Sequence, residues 1–154
     1  MNDARDSLRA WLDLLTASNA LKKSVDTALR ADFDISISRF DILAALHRAE
    51  PQGLRAGALT RRLKVTDGNT TQVTARLLKE GLVKRAVDTQ DRRAAIFSLT
   101  PKGRRLFEKM AAAHQQWIAE AFVGLSPAEI KSLRELLSQI RLPSDDQEDE
   151  KDAA

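Results

Sequence analysis

The chain has 154 residues and no cysteine, with 43% apolar and 31% charged residues. One soluble folded domain is expected from that arithmetic. Disulfides, thiol redox chemistry, cysteine nucleophiles and cysteine-bearing zinc sites are excluded. The two histidines, His47 and His114, stand far apart, so no metal or resident cofactor is expected. No apolar run approaches the roughly 18 residues of a membrane span. The start MNDARDSLRAW has acids where a signal peptide has a basic start and an apolar stretch. A cytoplasmic protein with no membrane partner is expected.

The net charge of +3 is unevenly spread. Residues 143–154 hold six acids against Lys151, a net −5, which leaves +8 on residues 1–142. A basic body suits a polyanionic partner, although a solvated surface with a disordered acidic tail would give the same count.

In chain order, Leu8, Trp11, Leu12, Leu15, Leu21, Val25, Ala28 and Leu29 recur at helical spacing and predict a long helix from about Arg5 to Ala31. Phe33, Ile35 and Ile37 alternate with polar residues in a loop that tucks apolar groups inward. Ser38 is the expected N-cap of the next helix, with Asp41 at its third position. Pro51-Gln52-Gly53 ends that helix. A short helix is expected from about Ala56 to Leu63. Thr66 then caps a further helix whose buried face carries Thr70, Val73 and Leu77, and Gly81 closes it in the left-handed conformation. The period changes to that of strands at Leu82–Val87 and Ala94–Leu99, joined by the polar loop Asp88-Thr89-Gln90-Asp91-Arg92-Arg93. Thr100-Pro101 opens a helix to about Val123. Ser126-Pro127-Ala128-Glu129 is a capping box for a last helix with Ile130, Leu133, Leu136, Leu137 and Ile140 on one stripe.

The fold class read from this order is mainly α with a small β-hairpin. Residues 38–99 form a winged helix-turn-helix lobe. Residues 1–37 and 100–142 supply helices for dimerisation, and residues 143–154 are a disordered acidic tail. In a winged helix-turn-helix the second helix enters the DNA major groove N-terminus first. Its start therefore needs small polar groups, and Gly68, Asn69, Thr71 and Gln72, followed by Arg76, meet that need. Asn and Gln can bond adenine edges, and Thr can touch a thymine methyl. A polar solvated face would look alike. The neighbouring hairpin, with Arg92 and Arg93 at its tip, suits a minor groove and favours DNA.

The stretch Leu77–Gly103, LLKEGLVKRAVDTQDRRAAIFSLTPKG, resembles the MarR family of winged-helix regulators. The family's wing signature stands here as Asp91-Arg92-Arg93, then Leu99-Thr100. The architecture resembles the family over about residues 5–142. The resemblance implies an obligate homodimer built from the first and last two helices. It also implies binding to a pseudo-palindromic double-stranded DNA operator, usually as a repressor released by a small-molecule effector. By that resemblance Arg93 enters the minor groove and Asp91 orients the wing; Arg92 is not fixed by the motif and is a candidate phosphate contact. The apolar stripes of the terminal helices exceed what one winged helix can bury, which independently argues for a dimer.

A narrower likeness lies in Arg9-Ala10-Trp11-Leu12, Arg39-Phe40-Asp41-Ile42, Val65-Thr66-Asp67-Gly68-Asn69 and His114-Gln115-Gln116-Trp117-Ile118. These resemble a branch that governs hydroxycinnamate catabolism and responds to aromatic acyl-CoA thioesters such as p-coumaroyl-CoA or feruloyl-CoA. Such an effector needs an apolar slot, for which Trp11, Phe33, Phe40 and Trp117 are candidates, and cations for its phosphates, for which Lys22, Arg30 and Arg39 are candidates. Ordinary core packing and surface charge are the competing readings of those residues. His47 and His114 read as packing groups. Another aromatic acid or drug-like ligand, or a ligand-independent dimeric DNA-binding or adaptor protein, are the alternative functions. No phosphate loop, catalytic carboxylate pair or Ser-His-Asp arrangement is present to suggest an enzyme.

Overall fold

A computed structural model describes residues 3–63 and 70–141. The expected Thr66 cap and the acidic tail lie outside the described residues. The elements are α1 (Ala4–Phe33), α2 (Ile37–Arg48), β1 (Leu54–Arg55), α3 (Ala56–Arg62), α4 (Thr70–Lys79), β2 (Val83–Val87), β3 (Ala95–Leu99), α5 (Pro101–Ala121) and α6 (Pro127–Ser138). The expected mainly helical class with a small antiparallel sheet is what the chain adopts. It divides into two compact units, residues 1–118 and 119–154.

In the first unit, α1 runs past its expected end. Asp34 then takes the left-handed conformation at φ 53° and closes the helix, with the Ile35 N–H donating back to the Leu29 carbonyl at 3.4 Å. Asp tolerates that region better than most side chains do. The N-cap of α2 is Ser36, not Ser38: its hydroxyl accepts from the Arg39 N–H at 3.3 Å. Asp26 of α1 decides the start point, because its carboxylate accepts from the Ile37 N–H at 2.8 Å. A long-range acid thus satisfies one orphan donor and a local hydroxyl another.

Helix α2 is the hub of the core, burying Phe40, Ile42, Leu43, Ala45 and Leu46 on several faces. Leu29, Ile42, Leu43, Leu46, Leu59, Leu77 and Met110 are wholly buried. Each such side chain contributes roughly 1.5–3 kcal/mol. The helix packs against α1, α3, α4 and β3. The sheet order is β1-β3-β2, antiparallel, with Leu54 opposite Phe97 and Val83 opposite Leu99. The two-residue β1 is an addition to the expected hairpin.

Gly81 ends α4 at φ +71°, as the sequence predicts. The Leu82 N–H donates to the Leu77 carbonyl at 3.0 Å and the Gly81 N–H to the Leu78 carbonyl at 3.1 Å, a complete Schellman motif. Thr100 then serves twice. Its hydroxyl caps α5 by accepting from Gly103 N–H at 3.0 Å, and donates to the Gly81 carbonyl at 2.7 Å. Its own N–H donates to the Leu82 carbonyl at 3.1 Å. Gly103 is buried where α5 crosses that strand start: a Cβ there would lie 1.9 Å from the Leu82 carbonyl oxygen.

In the second unit, Ser126 and Glu129 form the expected reciprocal capping box, at 3.3 Å and 2.7 Å. The Ser126 N–H holds the Glu129 carboxyl below its ordinary range. Along α6 and its end, Leu136, Leu137 and Ile140 stay exposed.

Candidate nucleic-acid interface

Helix α4 buries one stripe and presents another. Thr74 and Leu77 face the core, and Val73 and Thr70 are half-buried. The expected inner face holds, with Leu77 wholly buried and Val73 packed against the core, and Thr74 joins it as a buried polar residue. Thr71, Gln72, Ala75 and Arg76 are exposed. Gly68 and Asn69 lie outside the described residues. Arg76 places its Nε 3.0 Å from Glu80, four residues on. Preceding α4, the helix α3 exposes Arg61 and Arg62, and its Leu59 anchors it to the core.

The C-terminal end of α4 is held by polar contacts from three directions. Lys102 Nζ donates to the Glu80 carbonyl at 3.0 Å. The Glu80 carboxylate receives Arg39 Nη1 at 2.6 and 2.7 Å and Arg76 Nε at 3.0 Å. Thr100 takes up the next two carbonyls, as described above.

The wing is built by two acids. Asp88 is buried, accepts from the Gln90 N–H at 2.9 Å and pairs with Arg55 of β1. The Gln90 N–H first, and then Arg55, hold the Asp88 carboxyl below its ordinary range. Asp91 accepts from the Arg93 N–H at 3.0 Å, and its carbonyl accepts from the Ala94 N–H at 3.0 Å. The loop is thereby closed by its own acids, and the side chains of Arg92 and Arg93 stand exposed at its tip. Arg55 and Asp88 were invisible in the sequence as wing anchors, because their pairing requires the β1–β3 register.

The residues named for an effector do not converge on one place. Lys22, Lys23, Asp26 and Arg30 of α1 face Ile37 and Ser38 of α2 across an open groove of about 330 Å³. Arg30 is tied to Asp26 at 2.9 Å. Burial works to raise the Asp26 carboxyl, but the Ile37 N–H and Arg30 outweigh it and hold the group below its ordinary range. Trp11 is exposed, eleven residues or about 16 Å up the helix from Lys22. Phe33 and Trp117 form an edge contact at 6.5 Å.

Two of the effector candidates are corrected by their surroundings. Arg39 is no free phosphate cation: it is 5% exposed, and its guanidinium is taken by Glu80 and by the Asp34 carbonyl. Phe40 is core, buried against Phe107 at 5.7 Å and His114 at 5.1 Å. His47 lies 4.7 Å from Phe107. Both histidines thus pack against rings. Beside them, burial pushes the Asp41 carboxyl up, against the opposing pull of Lys22, His114 and Arg48.

Among the described residues no cluster of three or more His, Asp or Glu side chains could hold a metal ion, and no helix is long and apolar enough to cross a membrane. A family model described as MarR family matches residues 33–94. The chain is 35% identical over 107 residues to the uncharacterized HTH-type transcriptional regulator YkoM of Bacillus subtilis, covering 70% of this chain and 68% of that one. It is 29% identical over 106 residues to the regulator PrsX of Escherichia coli, but spans only 63% of its length. Among solved structures it is similar to Sco3205, a MarR family transcriptional regulator from Streptomyces coelicolor crystallised with DNA. The TM-score is 0.75 and the identity 27%, over 90% of this chain and 86% of that one. A MarR family regulator from Silicibacter pomeroyi matches at a TM-score of 0.72 and 29% identity, over 91% of this chain and all of that one. The chain belongs to the MarR family of winged-helix transcriptional regulators, DNA-binding proteins and not enzymes.

Proposed function

We propose that the protein is a homodimeric repressor that reads a pseudo-palindromic operator and leaves it when a small molecule binds. The observation that carries the reading is the pairing of two exposed features on one lobe. The start of α4 offers Thr71 and Gln72, and the wing offers Arg92 and Arg93. Neither set belongs to the buried core. In this reading Gly68, Asn69, Thr71 and Gln72 approach base edges. Arg76 and Arg92 neutralise phosphates, and Arg93 enters the minor groove. The Sco3205 structure with DNA, and that of a MarR variant from Escherichia coli with operator DNA, support the choice of partner.

The dimer rests on apolar surface that the single chain leaves open. Leu8, Trp11, Leu12 and Leu15 form an exposed stripe on α1 at the spacing of one helix face. Leu136, Leu137 and Ile140 do the same at α6. Such stripes call for a partner surface, and a second copy supplies it with two-fold symmetry. Residues 1–37 and 100–142 would thus be the dimerisation segments, and residues 38–99 the DNA-reading lobe.

For the effector, an aromatic acyl-CoA thioester such as p-coumaroyl-CoA suits the residues that remain available. Lys22 and Lys23 offer cations on a groove they share with the Asp26–Arg30 pair, and the Phe33–Trp117 pair offers aromatic surface. The DNA reading is tested by selecting duplexes from a randomised pool with the full chain, then titrating salt. Log affinity should fall linearly with log salt, by about 0.9 per phosphate neutralised. A flat response would refute it. Calorimetry against p-coumaroyl-CoA, with free p-coumarate and free CoA as controls, tests the effector. Binding of the thioester alone is expected, and no binding removes that effector while leaving the DNA reading in place.

A further inference from the structure

Glu80 is an acid at the end of a helix where acids are disfavoured. The last turn of α4 carries partial negative charge, so a carboxylate there opposes the helix dipole. The chain compensates with Arg39 of α2 and Arg76 of α4 on the carboxylate, and Lys102 of α5 on the same residue's carbonyl. Such a local conflict, resolved by cations from three helices, marks a position where geometry matters more than local stability.

The Arg39 end of this pair is equally constrained. Its side chain is 6% exposed. Nη1 spans both Glu80 carboxylate oxygens, Nη2 donates to the Asp34 carbonyl, and the backbone N–H donates to Ser36 Oγ at 3.3 Å. Arg39 therefore reads the left-handed turn and the cap that together make the α1–α2 junction, and delivers that position to a residue 41 places on. A well-packed apolar pair would stabilise the lobe at least as well as this ion pair does. What it would lack is a fixed, forked orientation.

We propose that Glu80 is a positioning residue for DNA reading: the Arg39–Glu80 pair fixes the register of α4 against the α1–α2 junction without touching DNA. The inference rests on α4 being the helix that reads bases. Its test uses charge sign. Glu80→Gln makes the protein more positive by one charge, which by itself tightens attraction to any duplex. A loss of affinity is then not a net-charge effect, and because Glu80 also holds Arg76, the Arg39→Lys variant, which leaves the Arg76–Glu80 contact in place, separates the clamp from a displaced Arg76.

The full-length chain selects a duplex from a randomised DNA pool. Wild type, Glu80→Gln and Arg39→Lys are titrated against that duplex and against one random-sequence duplex, with urea unfolding measured in parallel. Both variants should lose about tenfold on the selected duplex, the scale of coupling changes along such networks. On the random duplex Glu80→Gln should bind equally or more tightly. Unchanged affinity for the selected duplex, or equal losses on both duplexes, overturns the proposal. If Glu80→Gln leaves Arg39 so poorly paired that the chain does not fold, Arg39→Lys decides alone, since it keeps the charge but cannot form the fork. If wild type selects no duplex, the assignment of α4 falls and this inference with it. Selection followed by equal affinities removes only the clamp.

Discussion

Gly103→Ala is a substitution whose sign separates packing from propensity. Inside a helix, replacing Gly by Ala ordinarily stabilises by about 1 kcal/mol. At Gly103 the new Cβ would meet the Leu82 carbonyl oxygen at 1.9 Å, its carbonyl carbon at 2.8 Å and its Cα at 3.2 Å. All three are backbone atoms, so no side-chain rotation relieves the clash. Helix α5 must withdraw by more than about 1 Å to regain ordinary contact, and overpacking of this kind costs roughly 1–3 kcal/mol. The withdrawal also stretches three bonds between the start of α5 and the end of α4, from Thr100 N, Thr100 Oγ1 and Lys102 Nζ. Each is worth about 1 kcal/mol. A net loss of about 3–5 kcal/mol is expected, a large part of the 5–15 kcal/mol typical of a domain. Urea unfolding followed by circular dichroism, at one fixed protein concentration, reads it directly. With a slope of about 2 kcal/mol per molar urea the midpoint falls by about 2 M. An unchanged or higher midpoint would mean that α5 does not approach Leu82 this closely, and would refute the reasoning.

Gly57→Ala supplies the opposite sign. Its Cβ meets only the Arg61 guanidinium at 3.6 Å, so α3 should gain up to about 1 kcal/mol, and a fall in the same unfolding midpoint would count against it. Asp26→Asn should cost about 0.5–1 kcal/mol at pH 7 by removing the negative charge at the start of α2. Because the folded-state value of Asp26 lies below its ordinary 3.8, that stabilisation is complete above 3.8 and is lost as pH falls through the lower value. Unfolding curves of wild type and variant should therefore converge in acid, and a gap that persists well below pH 3.8 contradicts the assignment. Arg93→Ala should weaken binding to a selected duplex by about 1–3 kcal/mol while leaving the unfolding midpoint in place. Gln72→Ala should relax preference at one base pair more than it lowers affinity for random DNA; equal losses on both would remove it from base readout.

Much of the fold was legible because its signals are local. Gly81 must adopt a positive φ, Thr100-Pro101 and Ser126-Pro127 open helices by side-chain chemistry, and the strands show their period directly. Ser36 was missed because two serines stood within reach of the same cap, and the choice between them was made by Asp26, which accepts from the Ile37 N–H eleven residues on. The strand Leu54–Arg55 is too short for any period to show, and exists because β3 offers it a free edge. Long-range pairing also hid the roles of Arg39, Glu80, Arg55 and Asp88. Each reads as an ordinary surface charge until the fold brings a counter-charge to it. Arg39 was even taken for a ligand cation, since nothing in Arg39-Phe40-Asp41 announces a partner 41 residues downstream.

Among the described residues, the polar contacts of α4 named above lie at its C-terminal end, so any rotation about that end acts with the length of the helix as its arm. Its ten residues span about 15 Å. A tilt of about 10° about the fastened end would carry the other end through roughly 2.6 Å, close to the 3.4 Å rise between neighbouring base pairs. Thr70, Val73 and Thr74 pack along that length, so a tilt of this size cannot occur without repacking them, and a small repacking would carry side chains from one base step most of the way to the next.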